Sequence, residues 1–249
     1  MQPIDGISYS EETADVYDAW FGDYLDSAPA VDRLASLATA NGPGPVLELG
    51  IGTGRVALPL AARGLEVHGV DASQAMIAQL RAKPGGADVP ITIGDFSEMP
   101  TEGAFALIFV VAGSFFELPS QEAQVRCFEN VARRLRPGGL FAINGLVPDA
   151  SPSVGDQDIR LIPSSDDRLI MRFRRFDLVE QRYTSNYLVV EGGAARHLKV
   201  EFRYAWPSEL DLMARLAGLR LQERSASWRG EPFTSSSTSH ISIYQRPAA

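Results

Sequence analysis

The sequence predicts an α/β protein built on a doubly wound, mainly parallel seven-stranded sheet, with an antiparallel lid inserted after the fifth strand. Three observations carry that prediction. Short apolar runs alternate with helix-period segments from residue 27 to about 149, and the alternation returns over 206–249. A glycine-rich stretch, "ELGIGTG" at 48–54, joins the first apolar run to a helical one. Between about 168 and 205 the period changes to two: Leu198, Val200, Phe202 and Tyr204 alternate with His197, Lys199, Glu201 and Arg203.

The bulk numbers agree with such a fold. A chain of 249 residues suits one α/β domain with an insertion, and it can bury roughly 70 to 75% of its unfolded surface. The composition is 45% hydrophobic and 22% charged, as in ordinary soluble domains. The net charge of -8 opposes a phosphate backbone, so no nucleic-acid partner is expected. A single cysteine, Cys127, leaves no intrachain disulfide and reads as a small core residue. The acidic first twenty residues hold no signal-peptide core. The run "FALIFVVAGSFF" (105–116) is too short to span a bilayer. A cytoplasmic location with no membrane partner is the expectation.

The elements follow in order. Residues 9–26 are acidic, with Tyr17, Trp20, Phe21 and Tyr24 at helical intervals, so residues 1–26 read as an arm lying over the rest. Val31, Leu34 and Leu37 mark an amphipathic helix over 27–40, which "GPGP" (42–45) stops. Strand one is 46–50, helix 53–63 follows, and strand two is 65–71. Ser73 suits the N-cap of the next helix, which turns Met76, Ile77 and Leu80 to one side. Strand three is 89–96, strand four 105–113, and a helix capped by Ser120 runs to "RPGG" (136–139) before strand five, 140–145. The core is thus assigned to 27–149 and 206–249, and the lid to 150–205 with three strands. Within the lid, 177–190 reads as a single strand and "EGGAA" (191–195) as its hairpin turn. A helix over 207–218 and strands at 220–228 and 240–247 close the core.

The spacing of Gly50, Gly52 and Gly54 asks which ligand the first turn holds. A dinucleotide fingerprint beginning at Gly50 meets Arg55 at its third glycine position; one beginning at Gly52 survives only with Ala57. Glu48 weighs against a diphosphate there, since two like charges ~4 Å apart at an effective dielectric of ~20 cost about 4 kcal/mol. An ammonium group inverts the sign. S-adenosylmethionine meets the requirement, with Glu48 and the Gly50–Gly54 turn, Thr53 included, at its amino acid end. Asp71, beside Ala72, can accept both ribose hydroxyls. Gly94 and Asp95 end the third strand, where Asp95 can accept from an exocyclic amine while Met76 and Phe96 wall an apolar slot. Asp71 also suits a helix N-cap and Asp95 a turn, and the glycines alone could serve a tight connection.

"ELGIGTG", "GVDAS", "GDF" and "RPGG", in that order across residues 44 to 145, resemble the class I S-adenosylmethionine-dependent methyltransferases. The resemblance implies a Rossmann-like core, a methionine site on the Glu48–Gly54 turn with Ala112 beside it, a ribose site at Asp71 and an adenine site at Asp95-Phe96. "ADVYD" (14–18) is similar to the arm of small-molecule N-methyltransferases acting on amino sugars. That likeness makes Tyr17 a residue closing over donor and acceptor, both cofactor-binding and catalytic. S-adenosylhomocysteine is the product it implies.

Trp20, Ser114, Phe115, Phe116 and Glu117 are candidates for the acceptor pocket, by their place on the arm or after the fourth strand. For the two phenylalanines a core position is the alternative. His240 is a candidate catalytic base, and His197 a second, because imidazole titrates in a useful range; His68 reads as structural. Arg168, Arg172, Arg174, Arg175 and Arg182 crowd the lid, either to hold an anionic acceptor or as solvated faces. No metal-ligand spacing is present, and "VVAGSFFEL" (110–118) lacks the Asn/Asp-Pro-Pro-aromatic stretch of base methylases. The expectation is metal-independent, in-line methyl transfer to nitrogen or oxygen of a small-molecule metabolite. A nicotinamide-nucleotide oxidoreductase and a non-catalytic binding module are the alternatives. An exposed lid edge would suit a homodimer.

Overall fold

The computed structural model describes residues 11–22, 27–148 and 157–248. The arm holds two short helices, α1 (Glu11–Ala14) and α2 (Tyr17–Phe21); Tyr24 lies outside the described residues. The core follows as α3 (Ala28–Ala40), β1 (Val46–Leu49), α4 (Ala57–Ala62), β2 (Val67–Asp71), α5 (Gln74–Arg81), β3 (Ile91–Ile93), β4 (Phe105–Val110), α6 (Gln121–Arg134) and β5 (Leu135–Leu146). The insertion contributes β6 (Gln157–Ile162), β7 (Arg168–Asp177), β8 (Arg182–Glu191) and β9 (Ala194–Arg203). The chain then closes with α7 (Pro207–Leu216), β10 (Arg220–Ser225) and β11 (Ser239–Gln245).

Among the described residues the core sheet has seven strands in the order β10-β11-β5-β4-β1-β2-β3. β1 pairs in parallel with β2 and β4, β2 with β3, and β4 with β5; β11 runs antiparallel to both β5 and β10. The chain builds outward from β1 to β3, then returns to the far side of β1 as β4. That reversal opens a crevice beyond the carboxyl ends of β1 and β4, where sheets of this kind bind ligands. Both strands are buried along their whole lengths, which matches their unbroken apolar sequence.

Two apolar layers cover the sheet. One packs Phe128 of α6 edge-to-face on Phe115, Phe141 and Tyr244. The other packs Leu34 of α3 and Leu60 of α4 against Val46, Phe109 and Ile243. Helix α4 starts at Ala57 rather than Thr53, because the turn occupies residues 52–56. Strand β5 extends back through "RPGG" to Leu135, with a register shift against β4 between Phe105 and Leu107.

The insertion is an antiparallel sheet of four strands, β6-β7-β8-β9, not three. Residues 150–156 of the assigned lid lie outside the described residues. The stretch read as one strand over 177–190 breaks at its start, because Asp177 Oδ1 accepts from the Val179 and Glu180 N–H groups at 3.0 Å each and turns the chain into β8. Gly192-Gly193 alone form the turn into β9. The edge strand β6 exposes Ile159 and Leu161.

A buried polar cluster fastens the lid to the core. Arg203 of β9 pairs with Glu209 of α7 at 2.8 Å, and its Nη1 donates to Gln124 Oε1 at 2.5 Å. Gln124 Nε2 donates back to the Arg203 carbonyl at 2.8 Å. The arm is held against the lid: Phe21 packs edge-on against Tyr187 of β8 at 5.1 Å, and Arg168 of β7 donates to the Ala19 carbonyl.

Candidate active site

An open cavity of about 1080 Å³ lies at the crevice beyond β1 and β4. Its wall includes Glu48 from β1, Gly50, Gly52 and Thr53 from the turn, and Asp71 and Ala72 from the end of β2. Met76, Asp95 and Phe96 also line it, together with Tyr17, Arg55, Ala112, Ser114 and Glu117.

The turn is shaped for close approach. Gly50 has φ +70°, and a Cβ there would meet the Ser114 side chain at 3.3 Å. Gly54 serves packing instead, since a Cβ would fall 2.9 Å from Leu80, and it does not line the cavity. Gly94 likewise lies off the wall and only positions Asp95.

Glu48 is 2% exposed. Burial holds its carboxyl well above the usual carboxylate range, Asp71 adds to this, and Arg55 and the Ala57 N–H oppose it. Its Oε2 is buried with no hydrogen-bond partner. A carboxylate oxygen in that condition, on a cavity wall, suits an ammonium ligand that brings both charge and donors.

Asp71 accepts from the Gly52 N–H at 2.7 Å through Oδ2 and from the Ser73 N–H at 2.8 Å through Oδ1. Burial raises its pKa and those N–H groups oppose the rise. Each oxygen keeps a further lone pair for a ligand diol. The N-cap role falls to Ser73, whose Oγ accepts from the Met76 N–H at 3.2 Å. Asp95 Oδ1 accepts from the Ser97 N–H at 2.7 Å, so it shapes a turn and also lines the cavity.

Tyr17 opens α2 and stands on the walls of two cavities, this one and a second of about 880 Å³ under the lid. Ala112 shares both walls. Burial pushes the Tyr17 hydroxyl up to about 12, with Arg55 opposing and Glu117 contributing, so it remains a proton donor at neutral pH. Arg55 sits 5.6 Å from its ring. Glu117 is pushed up to about 8 by burial and by Asp71.

Several sequence candidates stand elsewhere. Phe115 and Phe116 are fully buried in the apolar layer below the site, because the short 3-10 turn 114–117 points them inward. Trp20 is 5% exposed and packs in the arm–lid cluster with Arg196 over its ring at 5.9 Å, lining neither cavity. His240 is also corrected. It sits fully buried on β11, its Nδ1 is 2.9 Å from Ser242 Oγ, and it lines neither cavity. Burial presses its pKa down to about 4. His197 contacts Asn186 Oδ1 at 3.0 Å on the lid, and His68 packs on Phe105. Among the described residues no three His, Cys, Asp or Glu side chains gather as a metal set, and no helix is long and apolar enough to cross a membrane.

Sequence reasoning missed the second cavity's walls: Asn144, Tyr183, Tyr187, Leu198 and Phe202. It also missed the clamp on the arm. Asp18 accepts from the Thr53 hydroxyl at 2.6 Å and from Lys83 Nζ at 2.5 Å. The strand alternation held the only available signal for the lid walls; the clamp joins residues 35 and 65 positions apart and has none.

A crevice at the sheet's reversal, with acids ending three successive strands, defines a class of fold that binds a nucleoside-linked ligand. Residues 46–139 match the Methyltransferase domain family. The solved CcbJ methyltransferase of Streptomyces caelestis is 37% identical, with a TM-score of 0.88 over 98% of this chain and 100% of that one. The chain belongs to the class I S-adenosylmethionine-dependent methyltransferases. It is therefore an enzyme whose methyl donor is S-adenosylmethionine, and the oxidoreductase alternative falls away. Cypemycin N-terminal methyltransferase from a Streptomyces species is 28% identical over 239 residues, 96% of this chain and 97% of that protein. The fold alone is shared with CalS10, an amino pentose methyltransferase from Micromonospora echinaspora, at 19% identity and a TM-score of 0.72 over 93% of this chain and 96% of that one.

Proposed function

We propose that the enzyme methylates an amine nitrogen of a small-molecule, natural-product-type metabolite, without a metal. The observation that carries this is Glu117, a carboxyl on the donor cavity that is also an electrostatic neighbour of Tyr17 and of Tyr183 under the lid. It shares the donor wall with Tyr17 and Ala112, the two residues that also line the lid cavity, and its raised pKa of about 8 suits exchange of a proton with an ammonium. The relatives' names support the same reading: CalS10 is an amino pentose methyltransferase, and the cypemycin enzyme is an N-terminal methyltransferase.

S-adenosylmethionine supplies a methyl on a cationic sulfur, with a neutral thioether as leaving group. Glu48 would hold its ammonium, Asp71 its ribose hydroxyls, and Asp95 with Met76 and Phe96 its adenine. Glu117 would receive the acceptor's ammonium end and take its proton, leaving the nitrogen lone pair free. Tyr17 and Ala112 would align that nitrogen, and the arm and lid would exclude water. Alignment of this kind can be worth ~10⁵ M or more in effective concentration.

The test is turnover of methyl-labelled donor with matched amines and phenols, the product read by mass spectrometry, in wild type and Glu117→Gln. N-methyl product, with a rate loss of about 10²-fold or more in the variant and loss of the acidic limb of its pH profile, is expected. An O-methyl product, or an unchanged profile, overturns the reading.

A further inference from the structure

We infer that Arg172 and Arg174 form an oxyanion subsite under the lid, so that the acceptor carries a carboxylate or phosphate besides its amine. The inference rests on the amine reading above and specifies the acceptor further. The two arginines stand two residues apart on β7, hence on one face of the sheet, and both line the lid cavity. Arg172 is only 3% exposed. Arg174 is fixed in place: its Nε donates to Ser185 Oγ at 3.2 Å, and its guanidinium lies 5.2 Å from the Tyr183 ring centre.

The other lid arginines are engaged differently. Arg168 pairs with Glu191 at 2.7 Å, Arg182 donates to the Pro119 carbonyl at 2.6 Å, and Arg175 is exposed. Only the pair at 172 and 174 reaches the cavity, and among the described residues on its wall there is no carboxylate. A guanidinium pair in a half-enclosed space presents forked donors whose geometry matches an oxyanion. Tyr187, Leu198 and Phe202 give the space between an apolar, aromatic body. Tyr17 and Ala112 connect it to the donor cavity. The donor wall is mainly acidic, with Glu48, Asp71, Asp95 and Glu117 against one guanidinium, Arg55, while the lid wall carries two guanidinium groups and, among the described residues, no carboxylate. A molecule with an amine at one end and an oxyanion at the other matches that order.

The test uses the whole enzyme loaded with S-adenosylhomocysteine. Phenylacetate, phenyl phosphate and the neutral phenylacetamide are titrated by calorimetry into wild type, Arg174→Gln and Arg172→Lys. At least one anion should bind about tenfold or more tightly than the amide, with the tighter anion naming carboxylate or phosphate. Arg174→Gln should lose the preference while keeping its affinity for S-adenosylhomocysteine. Arg172→Lys should weaken the preference, and equal binding of anion and amide, or an undiminished preference in either variant, overturns the subsite. An O-methyl product in the labelled assay would sink the amine reading and leave this anion preference standing, so the two failures are distinct.

Discussion

The Asp18 carboxylate accepts a hydrogen bond from the Thr53 hydroxyl at 2.6 Å, joining the arm to the turn that carries Gly50 and Gly52. Lys83 completes the joint by bonding both Asp18 Oδ2 and the Thr53 carbonyl, at 2.5 and 2.7 Å. Tyr17, one residue earlier, is thereby held on the cavity wall. Replacing Asp18 with Ala should raise KM for donor and acceptor together and lower kcat, while far-ultraviolet dichroism stays unchanged. A variant with wild-type constants would show that the arm closes without this joint.

Asp71 keeps lone pairs beyond its bonds to the Gly52 and Ser73 N–H groups, and in the proposed donor site these would accept from a ribose. Asp71→Ala should weaken S-adenosylhomocysteine by about ten- to a hundredfold, the worth of one charge-assisted pair. Calorimetry with the purified protein reads this directly, and unchanged affinity would remove Asp71 from the ribose site.

Glu48 gives a pH signature. Its carboxyl is held above the ordinary range, so it is neutral in acid and gains charge as pH rises. An ammonium ligand is attracted only by the charged form. Affinity for S-adenosylhomocysteine should therefore climb with pH through that titration, and Glu48→Gln should flatten the climb.

His240 should matter to stability, not to chemistry. With its pKa at about 4 instead of 6.5, the folded state resists protonation. The stability it gives is present above pH 6.5 and is lost as pH falls toward 4, by up to about 3 kcal/mol. His240→Asn should unfold with a weaker acid dependence in that window and keep kcat/KM close to wild type. A large loss of kcat with stability intact would restore it as a base.

Arg203 joins lid and core in a nearly dry setting. Removing it leaves the part-buried Glu209 with only the neutral donors Gln121 and Gln181, so Arg203→Ala should cost about 1.5–3 kcal/mol in denaturant unfolding at neutral pH. A loss under 1 kcal/mol would mean that the lid docks by apolar contact alone.

The sequence by itself determined the sheet, its mostly parallel sense and much of the cavity wall at the ends of β1, β2 and β3. Those features are local: buried strands read as apolar runs, helices as 3.6-residue periods, and Glu48, Asp71 and Asp95 each sit at or just past the end of a strand whose position the pattern marks. Only the tertiary structure decided which of the remaining candidates face a cavity. Phe115 and Phe116 turn into the core while Glu117, next in the chain, turns to the cavity, because a 3-10 turn rotates neighbours by about 120° where a strand would alternate them. His240 disappears behind Gly145, whose missing side chain leaves the space its ring fills. Arg172 and Arg174 separate from Arg168, Arg175 and Arg182 only when the lid folds over the arm. Composition counts five arginines alike; which two reach a cavity depends on strand register and docking, and those are set by contacts between residues far apart in the chain.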